Sequence, residues 1–565
     1  MIAPLAAAVA DRAVLAPDDP AVTALSYPGG ECRAATLTVA ELHSAAGDLA
    51  AGIRERTLPG DRVAILCRHG IDYVIAFLAC LYTARTAVPL FPVTMPRHAD
   101  RLRSILTDAR PRLGLISADA EFRHLEALPE PGAYLTVDPH ARSENVGLDR
   151  ISDHPAYLQY TSGSTTSPAG VEISHANLSA TLDQLRRALP VVEDRPLVNW
   201  LPYFHDMGLV FALSLPLYTG AHTVTLPPGE FAKRPIRWLR ACADYRAGGT
   251  ASPNFGLTLA VSGTSPRERE GLDLSGLELL LNGAEPIRRT ALDSFTRTFA
   301  PYGFRHRAHT PGYGLAEATL PVTISAPEAA PVGIEFDRTA LGAGRVVVAD
   351  AATSGVALVD CGRPVGQTVR IVDPDTLVPM DDGTVGEIWV QGPNVAAGYA
   401  GRPDRTETAF GAAPAGAAGS WLRTGDLGFF HDGGLFVAGR LRDTIVIGGR
   451  NHFPADIEAT AASVAPELRT GHLAAFGVET GECEQLILVA EIGHDPADPD
   501  EIGRRIRMAV TSTHGIAPAQ VLIVPRGAIP KTSSGKMRRG ACRDRYRQGE
   551  FTAGKSPDSL GIATE

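Results

Sequence analysis

Apolar and polar positions in this chain switch between two spacings. Leu37 to Arg54 carries apolar residues at helical intervals, Asp61 to Cys67 (DRVAILC) is a short run suited to a buried strand, and Tyr73 to Thr83 is helical again. Ala87 to Phe91, Leu113 to Ser117 and Tyr157 to Tyr160 read as further strands. Strands alternating with helices predict an α/β domain on a largely parallel sheet. Such sheets take ligands beyond the carboxyl ends of their strands. Toward the C-terminus the pattern becomes mixed α+β, with strands near Leu473 to Gly477, Gln485 to Ala490 and Val521 to Val524, and a helix over Glu501 to Val510. Met1 to Leu15 is apolar but carries Asp11 and Arg12 and lacks a basic start and a cleavage site, which predicts a first helix and not a signal peptide.

The strand at Tyr157 to Tyr160 feeds Tyr160-Thr161-Ser162-Gly163-Ser164-Thr165-Thr166-Ser167-Pro168-Ala169-Gly170-Val171, and a helical run from Asn177 to Leu189 follows. Hydroxyls and glycines in such a loop offer O–H and backbone N–H donors without bulky side chains, the groups that a phosphate chain needs. On composition alone the stretch reads equally as a flexible Ser/Thr/Gly linker.

The chain has 565 residues, which is too long for one ordinary core and predicts several domains or subdomains. A formal net charge of −10 argues against general nucleic-acid binding. The seven cysteines are scattered and without CxxC spacing, which points to a reducing, cytoplasmic compartment with no disulfide framework or zinc site. No run of about 18 uncharged apolar residues appears, so no stable membrane span is expected.

Other stretches each have a plain reading beside a chemical one. Asn199 to Gly208 (NWLPYFHDMG) sets His205 beside an aspartate in aromatic surroundings, yet such histidines are most often packed for structure. Ala251 to Gly256 (ASPNFG) and Asn282 to Pro286 (NGAEP) read as turns after strands. Asp432-Gly433-Gly434 predicts a hairpin turn after Thr424-Gly425-Asp426. Lys531 to Arg547 holds seven Lys or Arg and one acidic residue, Asp544, against the acidic whole. This stretch suits ATP or an acidic partner, or is a solvated helix face.

Taken together and in order, the hydroxyl loop, Tyr313-Gly314-Leu315-Ala316-Glu317-Ala318-Thr319, Arg423 to Gly428 (RTGDLG), Gly439 to Asp443 (GRLRD) and Pro530 to Lys536 (PKTSSGK) resemble the adenylate-forming, acyl-activating superfamily over nearly the whole chain. The resemblance implies a large N-terminal domain of α/β subdomains plus a small β-barrel, over residues 1–439. It implies a hinge at 440–443, a small mobile α+β lid at 444–550 and a disordered tail at 551–565. It further implies ATP and Mg2+ as cofactors. Thr161, Ser162, Gly163, Ser164, Thr165 and Thr166 would cradle phosphates. Asn282, Gly283, Ala284, Glu285, Tyr313 and Gly314 would form the adenine site, with Tyr313 stacked on the base. Asp426 would hold the ribose hydroxyls and Arg440 would reach the nucleotide. Glu317 would hold magnesium, which typically uses one or two carboxylates plus substrate phosphates. His205 would line the carboxylate site, and Tyr203, Asn254, Phe255, Gly256 and Leu315 the acyl pocket. Arg442 marks the hinge and Lys536 the catalytic lysine.

Between Thr319 and Gly362 the chain makes a detour, Val322 to Val359, which resembles the insertion of fatty acyl-AMP ligases. That branch commonly hands its product to an acyl carrier protein, here a partner in trans, instead of coenzyme A. Arg450 to Glu458 also looks like that branch, and Ala169 stands where the wider superfamily has a loop lysine. The expected activity is conversion of a fatty or related carboxylic acid to acyl-AMP with release of pyrophosphate, followed by transfer to a carrier thiol. The alternatives are an acyl-CoA ligase, a ligase passing a non-fatty acid to an amine or other small nucleophile, and a non-catalytic nucleotide-binding protein. Pro557-Asp558-Ser559-Leu560 faintly resembles a phosphopantetheine attachment site, but the six residues after Ser559 are expected to leave no room for a carrier domain.

Overall fold

The computed structural model describes residues 4–92, 96–118, 134–151, 153–160, 168–327, 329–351, 353–480, 483–493, 498–531 and 537–551. Two sheets form the body of the N-terminal part. The first runs, in spatial order, Tyr134–Val137, Leu113–Ser117, Arg62–Ile65, Thr86–Pro89, Tyr157–Tyr160 and Gly170–Ile173. Only its last pair is antiparallel. The second has a parallel centre in the order His309–Leu315, Leu279–Asn282, Gly249–Ala251, Leu197–Asn199, Thr223–Thr225 and Pro20–Ser26. Antiparallel strands close both edges.

The helix Ile71–Tyr82 touches strands of both sheets and buries every residue except Asp72. It is apolar all round because both of its sides face protein. The helix Val39–Arg56 begins at Thr38, whose hydroxyl accepts the Glu41 N–H while the Glu41 carboxylate accepts the Thr38 N–H. This reciprocal cap cuts the helix off from the strand Arg33–Thr38, so Leu37 and Thr38 are strand and not the start of the helix.

The small β unit is an antiparallel sheet of Thr368–Val372, Gly386–Gln391, Leu422–His431 and Gly434–Arg440. Its last hairpin turns at Asp432 and Gly433, both with positive φ, the backbone that two-residue hairpins favour. The detour's first residues belong to the strand Leu320–Ile324 of the large sheet. The hairpin Gly333–Asp337/Gly355–Val359, with the helix Arg338–Gly342 between its strands, follows. Its Phe336 and Leu341 pack with Phe429 and Phe436 of the small β unit, and Phe453 lies against the same cluster.

Beyond Asp443, the strands Leu468–Thr480, Cys483–Ile492 and Gln520–Val524 form a sheet with the helices Pro454–Val464, Pro499–His514 and Arg539–Arg547. This is the mixed α+β pattern expected from the sequence. Its own apolar cluster includes Ile457, Leu473, Leu488 and Ile506. Cys32, Cys67, Cys80, Cys242, Cys361 and Cys542 are free thiols. Among the described residues no helix is long and apolar enough to cross a membrane.

Candidate active site

Several candidate residues follow the carboxyl ends of strands in the second sheet: His205 comes after Leu197–Asn199, Asn254 after Gly249–Ala251, and Asn282 ends Leu279–Asn282. Tyr160 ends one strand and faces Gly170 on the returning one. Thr161 to Thr166 connect the two in the chain and lie outside the described residues, as does Lys536. A capping box of Ser174 and Asn177 then opens the helix His175–Ala188.

The strand His309–Leu315 carries Tyr313, Gly314 and Leu315 up to the turn holding Glu317. A Cβ on Gly314 would fall 1.7 Å from the Leu320 carbonyl oxygen, so the strand pair closes only with glycine there. The Tyr313 hydroxyl donates to Asp426 Oδ2 at 2.8 Å, and Arg440 Nε lies 3.2 Å from Asp426 Oδ1. Asp426 and Arg440 face each other in the hairpin, which fixes this pairing by register. Burial, and then the Asp426 charge, push the Tyr313 phenol well above its ordinary pKa. The same carboxylate raises that of Arg440. A flat ring, a carboxylate and a guanidinium are thus joined at one place.

The two loops expected at the adenine and acyl sites are tied into one wall. Asn282 is buried and donates to the Ser252 carbonyl at 2.7 Å. Glu285 Oε1 accepts the Phe255 N–H at 3.1 Å. Asn254 donates to the Pro286 carbonyl at 2.7 Å and accepts the Arg288 N–H at 3.2 Å. Ala284 sits in the left-handed region at φ 69°. A Cβ on Gly256 would meet Ser252 Oγ at 2.3 Å and Trp200 Cζ2 at 2.6 Å. Trp200 is itself stacked on Phe231 at 3.9 Å and edge-on to Phe255 at 5.6 Å. Trp200 is therefore part of this wall, although its sequence signal, an aromatic four residues before Phe204, was that of an ordinary core residue.

His205 Nδ1 lies 2.6 Å from Asp206 Oδ1, which also accepts the Met207 N–H at 2.7 Å. A π-helical turn, Met207–Ser214, follows. Gln159 of the first sheet donates to the Phe204 carbonyl at 2.9 Å, so this loop and the incoming phosphate-loop strand are held together. Tyr203, on the same loop, is buried, stacked at 4.1 Å on His69 and packed against Tyr73. His69 bonds Thr225 Oγ1 at 2.6 Å, and burial takes its pKa down to about 3, so the ring is neutral packing material.

A segment that the sequence reading passed over, Gly392 to Arg402, braces all of this. Asn394 donates to the carbonyls of Ala318 and Pro321, and accepts at its own carbonyl from Thr319 Oγ1. Ala396 N–H reaches the Glu317 carbonyl at 2.9 Å, and the Tyr399 hydroxyl donates to Glu317 Oε1 at 2.7 Å. Gly398 and Ala400 pair with Glu172 and Gly170. Arg402 pairs with Asp108, whose other oxygen accepts the Tyr160 hydroxyl at 2.7 Å. One segment therefore holds both strands that flank the hydroxyl loop and the Glu317 turn. Its only sequence marker is a Gly-Tyr after Pro-Asn, which reads as a loop.

Among the described residues no three His, Cys, Asp or Glu side chains cluster as a ready-made metal site. A lone carboxylate with Oε1 taken by Tyr399 and no cation paired to it among the described residues suits magnesium carried in with phosphates. Arg442, expected at a hinge, lies in the turn Leu441–Asp443, and Arg539 reaches Asp443 at 3.6 Å and Glu458 at 2.7 Å. Lys531 Nζ lies 3.2 Å from His472 Nδ1. Burial lowers the Lys531 pKa to about 8, with smaller effects of Glu491, Arg469 and, from the N-terminal wall, Glu285.

This fold, a large N-terminal α/β part followed by a small α+β unit, is that of the adenylate-forming enzymes. The chain belongs to the AMP-binding enzyme family, whose model matches residues 9–400, while residues 442–556 match the AMP domain of Disco-interacting protein 2-like proteins. It is 39% identical to the putative fatty-acid–CoA ligase FadD21 of Mycobacterium tuberculosis, over 96% of this chain and 97% of that protein. It is 38% identical to the long-chain-fatty-acid–AMP ligase FadD32 of Mycolicibacterium smegmatis, over 94% and 92% of the two chains. Among solved structures, it matches the fatty acyl-adenylate ligase of L. pneumophila in complex with acyl adenylate and pyrophosphate, at a TM-score of 0.74 and 34% identity, with 96% of each chain covered.

Proposed function

We infer that this protein is a fatty acyl-AMP ligase that passes its product to a carrier-protein thiol in the cytoplasm. The observation that carries the nucleotide half is the Tyr313–Asp426–Arg440 assembly beside the Glu317 turn. The acid class rests on the relatives' names and on the acyl adenylate in the L. pneumophila complex.

In the first step a carboxylate oxygen attacks the α-phosphorus of ATP. The bond from that phosphorus to the bridging oxygen breaks, and pyrophosphate leaves. Catalysis here is positioning and charge neutralisation. Tyr313 stacks on adenine. Asp426 accepts from the ribose hydroxyls, since a carboxylate has room for several donors. Thr161 to Thr166 and Arg440 hold phosphate oxygens, and His205 orients the acid. Glu317 would hold Mg2+, which would supply charge neutralisation on the phosphates. Lys536 bridges carboxylate and α-phosphate. In the second step a thiol attacks the acyl carbonyl, AMP leaves with the bonding electrons, and the thiol proton goes to solvent.

The carrier acceptor is supported by the packed insertion hairpin and by Ala169 in place of a loop lysine. FadD21's name favours the second reading, a coenzyme A acceptor. Mass spectrometry after mixing the protein with ATP, Mg2+ and a panel of acids from short aryl to long alkyl tests both. A medium- or long-chain acyl-AMP that persists when coenzyme A is added and is discharged by a phosphopantetheinylated carrier is the expected result. Conversion to acyl-CoA overturns the carrier reading, and no adenylate from any acid overturns the activity.

A further inference from the structure

Tyr399 lies outside every motif that marks the family resemblance, yet its hydroxyl is 2.7 Å from Glu317 Oε1. The contact is built from several sides. The Arg405 guanidinium sits 4.1 Å from the Tyr399 ring centroid, and Phe410 meets the ring edge-on at 5.5 Å. Thr406 Oγ1 accepts the Tyr399 N–H at 2.9 Å. The residues around it pair with the strand Gly170–Ile173, and Ala396 N–H fixes the Glu317 backbone carbonyl. The phenol is therefore held by its own surroundings and is not simply following a mobile glutamate. A phenol donating to one carboxylate oxygen fixes the rotation of that group and leaves the other oxygen to face a ligand. Hydrogen-bonded carboxylates of this kind are how proteins aim a metal ligand.

We propose that Tyr399 is a positioning residue: it orients the Glu317 carboxylate so that one oxygen is presented to the divalent cation accompanying ATP. This rests on the reading of Glu317 as the cation's protein ligand. The same segment holds Gly170 and, through Arg402 and Asp108, Tyr160, so the cation's carboxylate and both strands flanking the phosphate loop are set by one rigid strap.

The test compares the full-length protein with Tyr399→Phe and Glu317→Gln. The phenylalanine keeps the ring against Arg405 and Phe410 and removes the hydroxyl. Mn2+ binding is followed by electron paramagnetic resonance with enzyme saturated with α,β-methylene-ATP, and binding of the same analogue is measured in EDTA. Tyr399→Phe is expected to weaken Mn2+ binding about tenfold or more and to leave metal-free binding of the analogue unchanged. Glu317→Gln should weaken Mn2+ further. Parent-like Mn2+ binding by Tyr399→Phe beside a loss in Glu317→Gln overturns the positioning role and leaves the metal reading intact. Parent-like Mn2+ binding by Glu317→Gln overturns the metal reading and this inference with it. Equal losses of metal-free and metal-dependent binding in Tyr399→Phe assign the phenol a merely structural role and also overturn the proposal.

Discussion

Tyr313 and Asp426 are 113 residues apart and share a 2.8 Å hydrogen bond across the junction of the large sheet and the small β unit. The residue proposed to stack on adenine therefore also orients the residue proposed to hold the ribose. Tyr313→Phe keeps the flat ring but removes the donor to a charged acceptor, so the ATP KM should rise about tenfold with kcat nearly unchanged. Asp426→Ala removes the ribose acceptor as well and should cost about a hundredfold in kcat/KM for ATP. Pyrophosphate exchange at varied ATP checks both. Parent kinetics for Asp426→Ala would remove it from the nucleotide site.

The segment 333–359 is fastened to the C-terminal unit. Arg338 makes two bonds to Asp456, at 2.5 and 3.1 Å, with both side chains largely buried. Removing one partner of such a pair leaves a poorly solvated charge, typically a loss of about 3–5 kcal/mol. Arg338→Ala should lower the melting temperature and speed amide exchange across 450–464, and adding Asp456→Ala should restore part of the loss. Unaltered exchange there in the single variant would show that the pair does not hold the C-terminal unit.

The sequence patterns named the architecture well because its central elements are buried on both sides and read as near-continuous apolar runs. Ile71–Tyr82 and Leu279–Asn282 are apolar enough to read without a structure. Boundaries were less legible where a side chain decides them, as when the Thr38–Glu41 cap ends a strand that apolar spacing alone assigns to the helix. In the candidate site, compact motifs single out Tyr313, Glu317 and Asp426 as candidates. They leave out Tyr399 and Trp200, whose roles come from contacts 82 residues away in one case and from a packed glycine wall in the other. Tyr203 sits in a motif, and its stack on His69 comes from a residue 134 positions away that no local pattern marks.

Lys531 makes folding stability depend on pH. Its pKa falls from 10.5 to about 8, first through burial. Between those values the unfolded chain binds more protons, so this group's contribution makes the protein more stable as pH rises through that window. Below pH 8 the penalty of burying the charge is present in full. Lys531→Met should therefore raise the melting temperature at pH 7 by more than at pH 10. An equal change at both pH values would show that burial of the charge is not what the substitution relieves.

The second lysine of that loop, Lys536, has a different expected signature. A cation directed at the reacting oxygens in a site shielded from water is worth about 10²–10³ in rate. Lys536→Ala should lose that much in acyl-AMP formation, with the melting temperature and equilibrium ATP binding close to those of the parent. Adenylate formed at the parent rate would sink the assignment.

Gly256 sets the room available beside Trp200. A Cβ there already falls within 2.6 Å of the indole and 2.3 Å of Ser252 Oγ, so a larger side chain must displace the indole from its stack on Phe231 or lean into the space that Phe255 borders. Overpacking of this kind costs about 1–3 kcal/mol and lowers stability modestly. Its effect on function should fall on the acid and not on the nucleotide. Shortening a hydrophobic pocket by one or two methylenes shifts preference about 10–200-fold. Gly256→Val should lose long-chain acids by that margin relative to short ones, while the ATP KM stays at the parent value. Competition between a long and a short acid, read as the ratio of the two acyl-AMP products, measures it directly. An unchanged ratio in a folded variant would place the acyl chain elsewhere and make the Trp200–Gly256 contact a matter of packing alone.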